Sequence, residues 1–142
     1  MSRRPGRRSD RWGLTLAVLL CLVVSSVGAE TVRMGDPDAV RRHAEDMVEA
    51  AQAMVQQGVA GNLSVVIDYA RRAVAHGKEA VEAAPRSSNQ HARDTLEHLN
   101  AAIDQAQRVL ADGEQGRQEA ALTHARNALK QARRGLSHAL AL

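Results

Sequence analysis

The sequence predicts an all-α protein, an antiparallel up-down-up-down four-helix bundle built as a duplicated helical hairpin. Three observations carry this: apolar residues recur on a heptad frame through four long segments, no segment alternates with a period of two, and short Gly- or Pro-bearing connections separate the segments.

The elements follow in order. The opening MSRRPGRRSDRWG is arginine-rich, LTLAVLLCLVV (Leu14 to Val24) is an uncharged apolar run, and SSVGA ends in small residues. That pattern is a secretory signal peptide over residues 1–29, cut after Ala29, and the run is shorter than the ~20 apolar residues a membrane span needs. Residues 30–36 are expected to form a flexible leader, and 37–142 the bundle. Asp36-Pro37 gives an N-cap followed by proline at the first helical position, so helix one runs from about Pro37 to Gln57, with Gly58 as its stop. Helix two covers about Asn62 to Ala84 and ends at Pro85; Gly77 inside it costs ~1 kcal/mol relative to alanine without breaking it. PRSSN is a loop with Ser88 or Asn89 as the next cap. Helix three spans about Asn89 to Asp112, stopping at Gly113, and helix four about Gly116 to Ala141.

With a and d as core positions, helix two contributes Leu63, Ile67, Ala70, Val74, Gly77, Val81 and Ala84. Helix three contributes Leu96, Leu99, Ile103, Ala106 and Leu110, and helix four Leu122, Ala125, Leu129, Ala132, Leu136 and Ala139. Helix one is weaker, with Ala44, Val48, Ala51 and Val55. Large a and small d residues let helices approach closely, and the short GxxG connections force antiparallel neighbours. A shift of 55 residues places Gly58, Gly61, Ala70, Arg71 and Ala73 on Gly113, Gly116, Ala125, Arg126 and Ala128, and His43 on His98. That self-similarity is the basis for reading a duplicated hairpin.

Export changes the composition that matters. Removing residues 1–29 takes away five arginines and one aspartate, which turns the formal charge from +3 to −1 and removes Trp12 and the single cysteine, Cys21. The remaining chain has no thiol for a disulfide or a soft metal site, and Tyr69 is its only aromatic residue. Without excess positive charge or stacking platforms it has no basis for binding nucleic acid, and without a second apolar run it has none for a membrane after signal cleavage.

The informative residues are the histidines. In the frames set by the apolar residues, His43, His76, His91, His98, His124 and His138 all occupy position c, immediately before a d residue. Position c flanks g and lies off the a/d core, so these imidazoles are expected at the solvent-facing flank. His43 and His76 are equidistant from the midpoint of Gly58 and Gly61, and His91 and His138 from that of Gly113 and Gly116. By the same measure His98 is level with Gln131, and His124 with Gln105. The pairs converge if the g flanks of the two helices in a hairpin face one another, and diverge if they do not.

Neutral imidazole binds copper, nickel and zinc, and carboxylates complete the shell. Asp94 follows His91 by three residues and precedes His98 by four; Asp46 and Glu79 stand three after His43 and His76. One helix cannot bring His91 and His98 to a single ion, because seven residues rise ~10.5 Å. Each ion therefore needs a histidine plus a nearby acid, or a partner from another helix. Met47 and Met54 offer thioethers to Cu(I), although methionine more commonly fills a core.

Units such as YARRAVAHGKEAVEAA, HARDTLEHLNAAIDQA and THARNALKQARRGLSHA, in an exported cysteine-free chain, resemble the small metal-binding proteins of the bacterial periplasm. The resemblance covers roughly His43 to Ala139. It implies a periplasmic protein that sequesters or buffers copper-like divalent ions, with the metal-binding role falling on the six histidines; Asp94 joins the candidate ligands by its spacing to His91 and His98. The chain departs from the pattern in carrying Tyr69, Ala83, Gln105 and Gln131 at equivalent positions. Alanine-rich flanks are compatible with a homodimer that completes the coordination.

Catalysis has no support in the sequence. HExxH, GxSxG, GxxxxGK[ST] and CxxC do not occur after residue 29, and no histidine follows a Glu by three as in di-iron carboxylate bundles. The reading that competes with metal binding is a metal-free helical interaction or structural module that recognises another envelope protein.

Overall fold

The computed structural model describes residues 35–142, so the expected signal peptide and most of the leader lie outside the described residues. Four helices follow in chain order: α1 (Pro37–Val59), α2 (Leu63–Ala83), α3 (Gln90–Glu114) and α4 (Gln118–Ala139), with no strand among the described residues. The expected all-α antiparallel bundle is the fold observed.

The caps explain where the helices begin. Asp36 Oδ1 accepts hydrogen bonds from the backbone N–H groups of Asp38 and Ala39 at 3.0 and 3.2 Å, satisfying two of the orphan donors of α1. Gly35, just before it, donates to the carbonyl of Ala83 at 2.9 Å and ties the start of α1 to the end of α2. Asn89 Oδ1 caps α3 by accepting from His91 N at 2.9 Å. Ala84 leaves the helical region with ψ 137°, as a residue before proline must, and α2 ends there.

Two expected stops are corrected. Gly58 and Gly113 do not end their helices; α1 continues to Val59 and α3 to Glu114. The chain turns instead at Gly61 and Gly116, whose φ values of 82° and 70° lie in the left-handed region that glycine enters without a Cβ penalty. Gly58 and Gly113 serve close approach. A Cβ on Gly58 would stand 2.9 Å from Leu122 Cδ1, and one on Gly113 would stand 2.7 Å from Ile67 Cγ1. Leu122 and Ile67 are themselves 55 residues apart, so the two contacts are reciprocal and relate the hairpins as pseudo-equivalent halves.

The core register is also corrected. The d positions are buried as expected, Leu63 excepted, but their partners are the g positions: Val40, Met47, Met54, Val66, Ala73, Ala80, Thr95, Ala102, Val109, Ala121, Ala128 and Gly135. The larger a residues, among them Val48, Ile67, Val74, Leu110, Leu129 and Leu136, are only half-buried, while Ile103 alone of this set is buried. The reason is size. Alanine and glycine at d let the backbones close on a g/d seam, and the bulkier a side chains then cover its edge from outside.

Each helix packs against two neighbours: α1 on α2 and α4, and α3 on α4 and α2. A main cluster from Ala44 to Ala132 fills the middle, and a smaller one of Ala39, Val40, Ala83, Ala84 and Ala139 closes the end that holds the termini of the bundle. No helix among the described residues is long and apolar enough to cross a membrane.

Candidate metal centre

A g/d seam brings position c closer to the core than an a/d seam would. The histidines are consequently half-buried rather than solvent-facing, with side-chain exposures of 20% for His43 and 25% for His124; His91 alone is exposed. The g flanks of the helices in each hairpin face one another, so the c residues converge and form a ladder of rungs.

In the first hairpin the rings of His43 and His76 stack 6.4 Å apart, centroid to centroid. Asp46 and Glu79, one helical turn beyond each histidine, fold back over the pair. Glu79 Oε2 lies 3.2 Å from His76 Nδ1 in a hydrogen bond and 3.1 Å from His43 Nδ1 without alignment for one, so that buried nitrogen has no hydrogen-bond partner. Asp46 Oδ2 stands 3.9 Å from His76 Nδ1, and one ligating atom each of His43, Asp46 and His76 fall within 4.8 Å of one another. Donor atoms on a tetrahedral ion bound at 2.0–2.1 Å are about 3.3 Å apart. The spacings of this group, up to 4.8 Å, are wider than that, so an ion would have to draw the side chains together; two carboxylates offset the charge of a divalent cation and imidazole nitrogens favour a borderline transition ion. A groove lined by Asp46, Glu49, Tyr69, Arg72 and His76 opens beside the site.

In the second hairpin the level rings of His91 and His138 are 5.9 Å apart, and His98 stacks on His138 at 5.4 Å. Asp94 Oδ2 lies 3.8 Å from His138 Nδ1, close to the spacing between Asp46 and His76. The motif His-x-x-Asp with a histidine across the hairpin therefore occurs twice, one heptad further from the turn in the second copy. His98 Nδ1 and His124 Nδ1 face the amides level with them, at 3.0 Å from Gln131 Oε1 and 2.9 Å from Gln105 Oε1.

The structure thus brings His43 to His76, and His91, Asp94 and His98 to His138, while His124 stands apart from the other histidines. Met47 and Met54 are fully buried in the core at position g and serve packing. Sequence reasoning missed two features. Glu79 reaches both imidazoles and not merely its own, and Asp112, buried at the end of α3, lies 3.5 Å from His124 Nε2. Asp112 immediately precedes Gly113 and is itself a c residue. Following every c position, instead of the histidines alone, would have found it.

Compared with known families, the chain matches the family model described as small metal-binding protein over residues 11–131. No curated protein matches it.

Proposed function

This chain belongs to the small metal-binding protein family, and on that premise we propose that it takes up copper-like divalent ions in the periplasm and holds them as a sequestering or buffering protein. The observation that carries the reading is the cross-hairpin group of His43, His76, Asp46 and Glu79, in which a buried imidazole nitrogen is left without a hydrogen-bond partner among carboxylate oxygens. The constellation of His91, Asp94, His98 and His138 supplies a second, nitrogen-richer donor set.

Imidazole-carboxylate donors support Cu(II), Ni(II) and Zn(II) over calcium or magnesium, which prefer all-oxygen shells. The periplasmic assignment rests on the signal-like pattern of residues 1–29. We read the activity as binding, not catalysis, because the sequence offers none of the nucleophile or metal-hydrolase motifs.

The test is calorimetric titration of the untagged chain with Cu(II), Ni(II) and Zn(II) at neutral and mildly acid pH. Binding that weakens as pH falls supports imidazole ligation, since protons compete for the ring nitrogens. Absence of binding for all three ions, confirmed by equilibrium dialysis, would refute the proposal and favour the interaction-module reading.

A further inference from the structure

The hairpins meet along two seams, α2–α3 and α1–α4, which the internal repeat relates as counterparts. On the α2–α3 seam Arg71 lies 3.3 Å from Asp68 and 3.7 Å from Glu114, so its charge is answered from its own helix and from the helix across. The counterparts on the α1–α4 seam are Arg126, Thr123 and Val59. The cation is kept and both acids are gone: Arg126 has no ion pair among the described residues, and Val59 is 66% exposed.

The α1–α4 face segregates its charge by helix. α1 places Glu45 and Glu49 there and carries no cation after Arg42, while α4 places Arg126, Lys130 and Arg133 there and carries no acid after Glu119. All five side chains are exposed, and none is ion-paired among the described residues. Between the two rows run the half-buried Val48, Val55, Leu129 and Leu136, with the exposed Val59 and Leu140 at opposite ends. Two grooves open on this face: Glu45, Val48 and Glu49 line one with Leu136, and Val59 lines the other with Leu122 and Arg126.

The two rows are also in register. Gly58 stands level with Leu122, and Arg41 with Ala139, to whose carbonyl it donates. Counting between these anchors puts Glu45 level with Gly135 and Glu49 level with Gln131, beside Arg133 and Lys130 respectively. We propose that this face joins two copies of the chain about a two-fold axis lying in the face and parallel to the helices. That operation keeps every residue at its own height and lays α1 of one copy on α4 of the other. Glu45 and Glu49 then meet Arg133 and Lys130 of the second copy twice over, around a shared apolar strip, as an isologous contact requires. Helices of 23 and 22 residues, about 33 Å long and about 10 Å across, present roughly 660 Å² side by side, near the ~800 Å² per partner of a standard interface. The histidine ladders lie on the α1–α2 and α3–α4 flanks and stay open, so this dimer shares no ion and needs none.

Sedimentation equilibrium of the untagged chain in a chelating buffer tests the contact separately from metal binding. A reversible dimer that weakens with added salt is expected. The variants Glu45→Arg/Glu49→Arg and Lys130→Glu/Arg133→Glu should each dimerise about tenfold more weakly or worse, because like charges then face one another, and should form a one-to-one heterodimer when mixed. Lys78→Glu, the counterpart of Arg133 on the α2–α3 seam, should leave the dimer unchanged. Circular dichroism checks that each variant is folded; if one reversal unfolds the chain, the other reversal and the salt dependence decide. A chain monomeric up to about 1 mM, a dimer indifferent to both reversals, one weakened equally by Lys78→Glu, or association only with added Zn(II) would overturn the proposal. A monomer captured by phosphatidylglycerol vesicles would overturn it too and give the cationic row to a lipid surface.

Discussion

Replacing His76 by glutamine tests the cross-hairpin centre through stability. His43 and Asp46 come from α1 and His76 and Glu79 from α2, so an ion held among them binds the folded hairpin and not the unfolded chain. Such an ion at one hundred times its dissociation constant stabilises by about 2.7 kcal/mol. For a domain near 100 residues this corresponds to a rise in Tm of roughly 10 °C or somewhat more. Loss of one imidazole that weakens binding about a hundredfold leaves the ion near its dissociation constant, with ~0.4 kcal/mol of stabilisation and a rise of about 2 °C. Without metal, the variant should melt close to the parent, because His76 lies on the flank at 35% exposure and its contacts with Glu79, Asp46 and the His43 ring are all partly exposed. The assay is thermal denaturation followed by circular dichroism, with and without Ni(II) or Zn(II). An equal metal-induced rise in parent and variant would refute the reasoning.

Other outcomes follow from the packing and the chemistry. Gly77→Ala gains up to ~1 kcal/mol of helix propensity, but its Cβ would lie 2.6 Å from Ile103 Cγ1. Overpacking of about 1–3 kcal/mol should dominate and lower the midpoint of urea denaturation, and a stabilised variant would contradict the close α2–α3 approach. Gly61→Ala should cost ~1–2 kcal/mol because its φ of 82° is left-handed; equal stability in the same assay would show that the turn can be rebuilt. Met54→Ala should destabilise by about 2–5 kcal/mol yet leave metal stoichiometry unchanged by calorimetry, and a lost equivalent would return the thioether to the ligand set. Metal affinity should be retained at neutral pH and fall as the pH drops, and a flat pH profile would argue against imidazole ligands.

Much of this architecture was legible from distances along the chain. An antiparallel hairpin with a defined turn fixes which residues are level, so His43 with His76, His91 with His138, His98 with Gln131 and His124 with Gln105 could be paired by counting alone. Counting does not reveal rotation about the helix axis. Whether g or a accompanies d in the seam depends on how closely the backbones approach, which alanine and glycine at d permit but do not announce. Gly58 and Gly113 were misread for a related reason: a glycine that ends a helix and one that admits Leu122 or Ile67 look alike until the opposing helix is in position. Asp112 escaped because the heptad rule was followed for one residue type.

Among the described residues the imidazole contacts lie within single hairpins, across the two helices or, for His76 and Glu79, along one helix, and none joins one hairpin to the other. The seams between hairpins include close apolar contacts such as Leu122 on Gly58, Ile103 on Gly77 and Ile67 on Gly113, and the candidate ligands are not among these residues. Cooperativity requires a shared element with two arrangements that both sites bias, and this geometry supplies none. The hairpins are therefore expected to load independently, each site with a Hill coefficient of about one. Occupancy would then rise gradually over a broad range of free ion concentration, which is the response of a reservoir and not of a sensor.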